Sequence, residues 1–241
     1  MSTAFISDLH LAAKAPDISK RFQDYLVNDL SGVETLYILG DLFEYWIGDD
    51  AAEVLGMQTI LEALQNLTKT GIKGYFIAGN RDFLIGETFA QMTGFEILAD
   101  ESVITLGDEN VLILHGDSLC TDDHLHQLFR AEMMCNPAFH QQALSLSIEQ
   151  RIAKAEQLRG MSAEHKSEIS MQIMDVNEDS VIKLFEQTGV CRMIHGHTHR
   201  PAIHSHSTKN GQAERIVLGD WYTQNSFLIH DQQGYRLSNL S

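Results

Sequence analysis

Short runs of apolar residues recur along the chain, and glycine or polar residues bound most of them. Their length and their content of Ile, Val, Leu, Phe and Tyr are typical of buried β-strands. The pattern predicts strands over residues 4–7, 35–39, 75–78, 111–114, 193–194, 216–218 and 227–229.

Two segments between the early strands have a helical pattern, at residues 17–30 and 52–70. Alternating strands and helices predict an α/β fold. After residue 194 strand follows strand, which predicts a more antiparallel second half. In the second helix, the spacing places four apolar residues on one buried face: Val54, Met57, Leu61 and Leu64.

Residues 124–171 differ from the rest because they lack strand-like runs and have helical spacing. We therefore predict a core formed by residues 1–123 and 172–241, and a helical cap inserted over residues 124–171.

The net charge is −16, from 17 Lys and Arg against 33 Asp and Glu in 241 residues. This balance argues against nucleic acid as a partner, because binding to phosphates needs basic side chains. Residues 1–123 hold 6 basic and 21 acidic residues, whereas the cap holds 5 of each. The N-terminal sequence lacks the pattern of a secretory signal, no apolar run is long enough to span a membrane, and the three cysteines are widely spaced. These features predict a cytoplasmic protein.

Polar residues follow five of the predicted strands. Sites in α/β sheets form outside the carboxyl ends of strands, and carboxylate with imidazole is a ligand set for divalent metals. Strand alternation would point the side chains of Asp8 and His10, which follow the first strand, to the same side. In strand order, the residues are Asp8 with His10, Asp41, Asn80, His115, and His197 with His199.

The order D-x-H, G-D, G-N-x-D, H and G-H-x-H resembles the calcineurin-like metallophosphoesterase superfamily. The resemblance implies a four-layer α/β/β/α sandwich with a helical cap insertion. It also implies two divalent metal ions, and the oxygen and nitrogen ligands favour Mn²⁺. Such a pair, about 3.5–4 Å apart, stabilises both the attacking and the leaving oxygens of phosphoryl transfer. One ion would be held by Asp8, His10, Asp41 and His199, and the other by Asp41, Asn80, His115 and His197.

Longer stretches resemble the UDP-2,3-diacylglucosamine diphosphatase family of lipid A biosynthesis. That resemblance implies hydrolysis of the pyrophosphate of UDP-2,3-diacylglucosamine, the UDP-linked acylated glucosamine substrate. A metal-activated water would attack the α-phosphorus, giving UMP and 2,3-diacylglucosamine 1-phosphate (lipid X). The stretches are residues 37–44, 46–50, 79–84, 115–123, 173–177 and 195–201.

The resemblance implies catalytic roles for Asp41, Asn80, Arg81 and His115. Arg81 stands where many members of the superfamily have histidine, and its guanidinium is a planar donor for a phosphate oxygen. An ion pair with Asp82 or a neighbouring residue is the alternative role of Arg81, and an exposed helix face is the alternative for the cap residues. The implied substrate-binding residues are Asn80, Arg81, Asp123, Arg159, Ser162, Lys166 and His197.

The cap departs from the family pattern at residues 136–145, which are more polar than the family's apolar run, and at His126, where the family has tyrosine. These changes predict a reshaped acyl-chain groove. They also predict at most weak peripheral contact with the cytoplasmic face of the inner membrane. Two alternatives stay open: a dimetal phosphohydrolase of the same superfamily acting on a soluble nucleotide or sugar diphosphate, and a metal-bearing interaction scaffold without turnover.

Overall fold

A computed structural model describes the backbone of residues 2–168 and 175–240, and the side chains of residues 2–160 and 175–240. Two β-sheets stack face to face. One has the strand order β11-β10-β1-β2-β3-β4, and the other has the order β5-β6-β7-β9-β8. The strands are β1 (Thr3–Ile6), β2 (Thr35–Leu39), β3 (Lys73–Ile77), β4 (Phe95–Ile97), β5 (Glu101–Leu106), β6 (Glu109–Leu114), β7 (Arg192–His195), β8 (Ala202–Thr208), β9 (Gly211–Val217), β10 (Ser226–Asp231) and β11 (Gly234–Asn239).

Helices cover the outer face of each sheet. A further group of helices follows β6 along the chain and ends before α7. The helices are α1 (Pro16–Asn28), α2 (Gln58–Lys69), α3 (Glu87–Thr93), α4 (His124–Phe129), α5 (Pro137–Leu144), α6 (Ile148–Glu168) and α7 (Glu178–Thr188), and a π-helical turn over Arg130–Met134 follows α4.

The period-two alternation of the strands produces the layers. In β1, Phe5 packs between the sheets, whereas Ala4 and Ile6 pack on the side of α1 and α2. In β6, Ile113 packs between the sheets and Leu112 packs against α7. The α/β/β/α arrangement expected from the sequence is therefore confirmed.

Parallel pairing places the carboxyl ends of the central strands together. Strands β1, β2 and β3 are parallel neighbours in the first sheet, and β6, β7 and β9 are parallel neighbours in the second. The second half contains the expected antiparallel pairs, β8 with β9 and β10 with β11, although β7 and β9 are parallel. The loops that follow the parallel strands consequently meet at one edge of the sandwich.

The helix predicted over residues 52–70 begins later, at Gln58. Met57, Leu61 and Leu64 are buried as expected, but the prediction for Val54 is wrong, because 62% of that residue is exposed. The chain turns at Gly56, whose φ of +70° interrupts the helical pattern. The apolar pattern missed β4, β5, β8, β11, α3 and α7.

Residues 124–168 contain α4, α5, α6 and the π-helical turn and no strand. The division into a core and a cap stays a prediction. In the part of the chain that the structure describes, every helix is too short or too polar to cross a membrane.

Candidate active site

The loops after β1, β2, β3, β6 and β7 bring the seven predicted metal ligands together. Ligand atoms of Asp8, His10 and His199 lie within 4.8 Å of one another, and so do those of Asp8, Asp41 and His115. The Oδ1 atom of Asn80 lies 3.2 Å from Nε2 of His115 and 3.0 Å from Nδ1 of His197. The predicted grouping at the sheet edge is thus present, and its division between two metal ions stays a prediction.

Left-handed backbone, rather than strand alternation, aims several of these side chains at the centre. The expectation of alternation for Asp8 and His10 is wrong, because β1 ends at Ile6 before them. This conformation strains any residue that has a Cβ atom, and such strain clusters at functional sites. Among the other non-glycine residues that the structure describes, only Asn225 has a positive φ. The predicted ligands with positive φ are Asp8 (57°), His10 (50°), Asp41 (52°), His197 (64°) and His199 (55°).

The Asp8 carboxylate is fully buried and held from both sides. Its Oδ2 accepts hydrogen bonds from the Ser7 hydroxyl at 2.6 Å and from the His197 N–H at 2.9 Å, and its Oδ1 lies 3.2 Å from Nε2 of His199. Burial would raise the pKa of Asp8, but the neighbouring histidines, His199 first, hold it well below its usual range. The side chain is therefore an anion fixed in one orientation, as a metal ligand must be.

The imidazole of His115 has one nitrogen committed to the fold. Its Nδ1 lies 2.8 Å from the carbonyl of Leu39 and donates to it, which leaves Nε2 facing Asn80 and, at 3.7 Å, Oδ1 of Asp41. Such a hydrogen bond is the usual way in which proteins set the tautomer of a metal-binding histidine. Burial lowers the pKa of His115, but Asp41 and Asp8 outweigh it and raise the pKa to about 9. The surroundings thus favour a positive charge at Nε2.

His10 provides the sharpest sign that a cation fits this centre. Both of its ring nitrogens are buried, and neither has a hydrogen-bond partner among the described residues. Nε2 lies 3.7 Å from Oδ2 of Asp41, and Nδ1 lies 3.3 Å from Oε2 of Glu44. Unpaired buried polar atoms are unfavourable, and a divalent ion at Nε2 would satisfy one of them. The residues present therefore fit a metal site.

Asp82 joins the two loops that carry Asp41 and Asn80. Its buried carboxylate accepts hydrogen bonds from four backbone N–H groups, those of Asp41 (3.3 Å), Leu42 (2.7 Å), Phe43 (3.3 Å) and Gly79 (2.8 Å). Because its oxygens serve these amides, the structure does not support the alternative role of Arg81 as its ion-pair partner. The sequence marked Asp82 only as part of a motif, and its positioning role became visible in the fold.

Three other polar residues of the site were also missed. Asp220 has its Oδ2 atom 3.7 Å from Nδ1 of His199, and Tyr222 donates a hydrogen bond to Glu44 at 3.1 Å. Asp220 follows a glycine after a predicted strand, as Asp41 does, so the rule that found Asp41 could have found it. The pKa of Glu44 is lowered to about 2, since His10, Arg81 and Arg159 outweigh the effect of its burial.

A cavity of about 370 Å³ lies beneath the helices of residues 124–168, and of the predicted ligands Asn80 lines it. Asn80, Arg81, Asp123, His126 and Arg159 line it as polar residues. The backbone N–H of Arg81 donates a hydrogen bond to Oδ1 of Asp41 at 2.8 Å. The buried Nε of the Arg81 side chain has no hydrogen-bond partner among the described residues. The side chains of Ser162 and Lys166, predicted to contact substrate, lie outside those that the structure describes. Most of the exposed lining is apolar, and it includes Phe83, Leu128, Phe129, Met133, Phe139 and Leu158.

A family model for calcineurin-like phosphoesterases matches residues 1–201 of the chain. The chain belongs to the calcineurin-like phosphoesterase family. The site described above lies at the positions where the family resemblance implied its ligands, and all seven of them fall within the matched residues.

Two relatives that share one name are similar to the chain over most of its length. A protein from Chromohalobacter salexigens, named UDP-2,3-diacylglucosamine hydrolase, is 48% identical over 92% of this chain and 89% of its own. A protein of the same name from Xanthomonas campestris pv. campestris is 44% identical over the full length of both chains. Among solved structures, vacuolar protein sorting 29 from Cryptosporidium parvum matches with a TM-score of 0.51 and 14% identity, covering 100% of this chain and 91% of that one. This last likeness concerns the fold alone.

Proposed function

We propose that this phosphoesterase is a UDP-2,3-diacylglucosamine hydrolase, which cleaves the pyrophosphate of that substrate to UMP and 2,3-diacylglucosamine 1-phosphate (lipid X). The relatives with this name resemble the chain at 44–48% identity over nearly its whole length. The products follow from attack of water on the α-phosphorus, with the acylated sugar phosphate as leaving group.

The observation that carries the proposal is that Asn80, a proposed metal ligand, and Arg81 beside it line the apolar cavity. A diphosphate is strongly anionic, whereas acyl chains require an apolar surface that excludes water. A soluble nucleotide or sugar diphosphate has no acyl chains to bury against the six apolar side chains named above. The cavity therefore favours the lipid substrate over that alternative, despite the polar sequence at residues 136–145.

The proposed metal ligands are Asp8, His10, Asp41, Asn80, His115, His197 and His199, with Asp41 shared between two ions. The carboxylate, amide and imidazole donors suit manganese, which we propose as the metal. When bound, the metal pair supplies an activated water and neutralises charge on the phosphate oxygens. The protein contributes orientation, through the Leu39 carbonyl at His115 and the Asp82 carboxylate beneath Asp41.

Arg81 is proposed to bind the diphosphate. Its side chain lines the cavity, and its buried Nε, which has no hydrogen-bond partner among the described residues, is available as a charge-assisted donor to a phosphate oxygen. Asn80, Asp123, Arg159 and His197 are proposed as further substrate contacts, together with Ser162 and Lys166.

We also propose the domain division expected from the sequence, with the core at residues 1–123 and 172–241 and the cap at residues 124–171. The cap supplies much of the apolar cavity wall. We further propose a cytoplasmic location with at most weak peripheral contact at the inner membrane, which the polar sequence of residues 136–145 supports.

The test compares acylated and deacylated UDP-glucosamine with the full-length protein and Mn²⁺. We expect UMP release from the acylated substrate, with kcat/KM at least about ten-fold higher than for the deacylated one. Asp41→Asn should abolish activity on both, because it removes the proposed shared ligand. Equal rates on both substrates would favour the alternative of a soluble substrate, and unchanged activity in Asp41→Asn would contradict the proposed centre.

A further inference from the structure

Glu44 lies between the metal centre and the cap. Its side chain is only 12% exposed, and its two oxygens face different parts of the molecule. Oε2 lies 3.3 Å from Nδ1 of His10 and accepts the hydrogen bond from Tyr222. Oε1 forms an ion pair with the guanidinium of Arg159, which belongs to α6. One carboxylate thus contacts both a proposed metal ligand and a cap helix.

Other cap arginines also form ion pairs with core carboxylates, and these carboxylates differ from Glu44 in what else they contact. Among the described side chains, Arg159 is the only cap arginine whose ion-pair partner directly contacts a proposed metal ligand. The remaining pairs join Arg151 to Asp50, and Arg130 to Asp100 and Asp117.

The chemistry of a metal-binding histidine explains how a cation at His10 would affect Glu44 and Arg159. When Nε2 of His10 binds a cation, the ring proton resides on Nδ1, where Glu44 is the facing carboxylate. Carboxylates in this position orient the ring and strengthen its binding, and their removal weakens metal affinity about 10–100-fold. A fixed His10 in turn fixes Glu44, which holds Arg159 at the cavity wall.

We propose that Glu44 is a positioning residue that couples cation binding at His10 to the docking of helix α6 through Arg159. This inference rests on the proposed function, because it requires the metal centre. By linkage the coupling works both ways, so a docked α6 also favours the bound cation.

Hydrogen–deuterium exchange of the full chain tests the coupling with Mn²⁺ alone as the probe. Peptides covering residues 148–160 report on α6, and titration calorimetry in parallel gives the Mn²⁺ affinity of each variant. In the wild type, saturating Mn²⁺ should slow exchange in α6 by at least about five-fold. Glu44→Gln and Arg159→Met each break one end of the link, so Mn²⁺ should change their α6 exchange by less than about two-fold.

The Mn²⁺ affinities of the two variants distinguish the contact of Glu44 with His10 from its ion pair with Arg159. Glu44→Gln should weaken Mn²⁺ binding about ten-fold or more, whereas Arg159→Met should weaken it less, by about the five-fold factor of the coupling. Lys154→Met is the matched control, because Lys154 is an exposed cation on the same helix, and its variant should keep the slowing of the wild type.

Two results would overturn the inference: Glu44→Gln keeping the full slowing at saturating Mn²⁺, or the wild type binding Mn²⁺ with no change in α6. A wild type that binds no Mn²⁺ would instead overturn the proposed function, and calorimetry distinguishes that result from a loss of coupling alone.

Discussion

Strained ligands need a rigid support, and Asp82 provides much of it. A non-glycine residue held in the left-handed region costs about 1–3 kcal/mol, and Asp41 is one of five predicted ligands in that conformation. The four amides that donate to Asp82 belong to the loops after β2 and β3. Asp82 therefore fixes the backbone from which Asp41 and Asn80 project.

Asp82→Ala should lower the free energy of unfolding of the metal-free protein by at least about 3 kcal/mol, since each buried amide left unpaired costs about 1–3 kcal/mol. Urea denaturation measures this change. Asp108→Ala, at an exposed turn, is the control and should unfold like the wild type. A loss below about 1 kcal/mol for Asp82→Ala would contradict the role given to this carboxylate.

The sequence predicted the ligands because each follows a strand, and the strands were visible as apolar runs. It missed Glu44 and Asp82 as positioning residues because their roles depend on contacts that the pattern does not encode. The partner of Glu44 on α6 is Arg159, which lies more than a hundred positions away along the chain. Left-handed backbone at Asp8 and His10 was likewise invisible to an argument from strand alternation.

At the scale of elements, α5 shows how a polar sequence forms an apolar wall. Residues 136–145 contain few large apolar side chains, but Phe139 and Ala143 line the cavity while Gln141 and Gln142 are exposed. The position of an apolar residue on the helix therefore matters more than the number of such residues. The sequence predicted a reshaped groove here, and the cavity of about 370 Å³ is the space that the fold provides.

Filling this cavity should affect the lipid substrate selectively. Ala143→Trp places a large ring where acyl chains are proposed to bind, so kcat/KM for the acylated substrate should fall at least about ten-fold. The rate with deacylated substrate should change little, because the metal centre is untouched. Ala138→Trp, on the exposed side of the same helix, serves as the control in steady-state assays. Equal losses on both substrates would argue against an acyl site beneath α5.

At the scale of the whole molecule, the uneven charge has a structural use. Residues 1–123 hold 21 of the 33 acidic residues, and the cap is neutral by composition. In the structure, Arg130, Arg151 and Arg159 of the cap each pair with a core carboxylate. The acidic core thus receives a cap whose arginines face it, an arrangement that composition alone did not predict. Contacts between groups a hundred positions apart require the fold to be known.

The ion pair between Arg130 and Asp117 should make this docking depend on pH. Burial would raise the pKa of Asp117, but His126, His115 and Arg130 hold it well below its usual range. A carboxyl with a depressed folded-state pKa adds stability above its unfolded-state pKa of about 3.9, and that stability is lost as the pH falls towards the folded-state value.

Arg130→Met should therefore lower the free energy of unfolding by about 3 kcal/mol at neutral pH. This difference should shrink once the pH falls below the folded-state pKa of Asp117 in the variant, which loses the ion pair. Urea denaturation across the pH range checks both parts. Arg236→Met removes an exposed pair with Asp231 and should have a much smaller effect. A loss at neutral pH no larger than that of Arg236→Met would show that the buried ion pair contributes little.

The most direct test of the account is hydrolysis of UDP-2,3-diacylglucosamine in ¹⁸O-labelled water with Mn²⁺ and the full-length protein, followed by mass spectrometry of both products. Attack on the α-phosphorus predicts one ¹⁸O atom in UMP and none in 2,3-diacylglucosamine 1-phosphate. Label in the sugar phosphate, or no hydrolysis by the metal-loaded protein, would contradict the account.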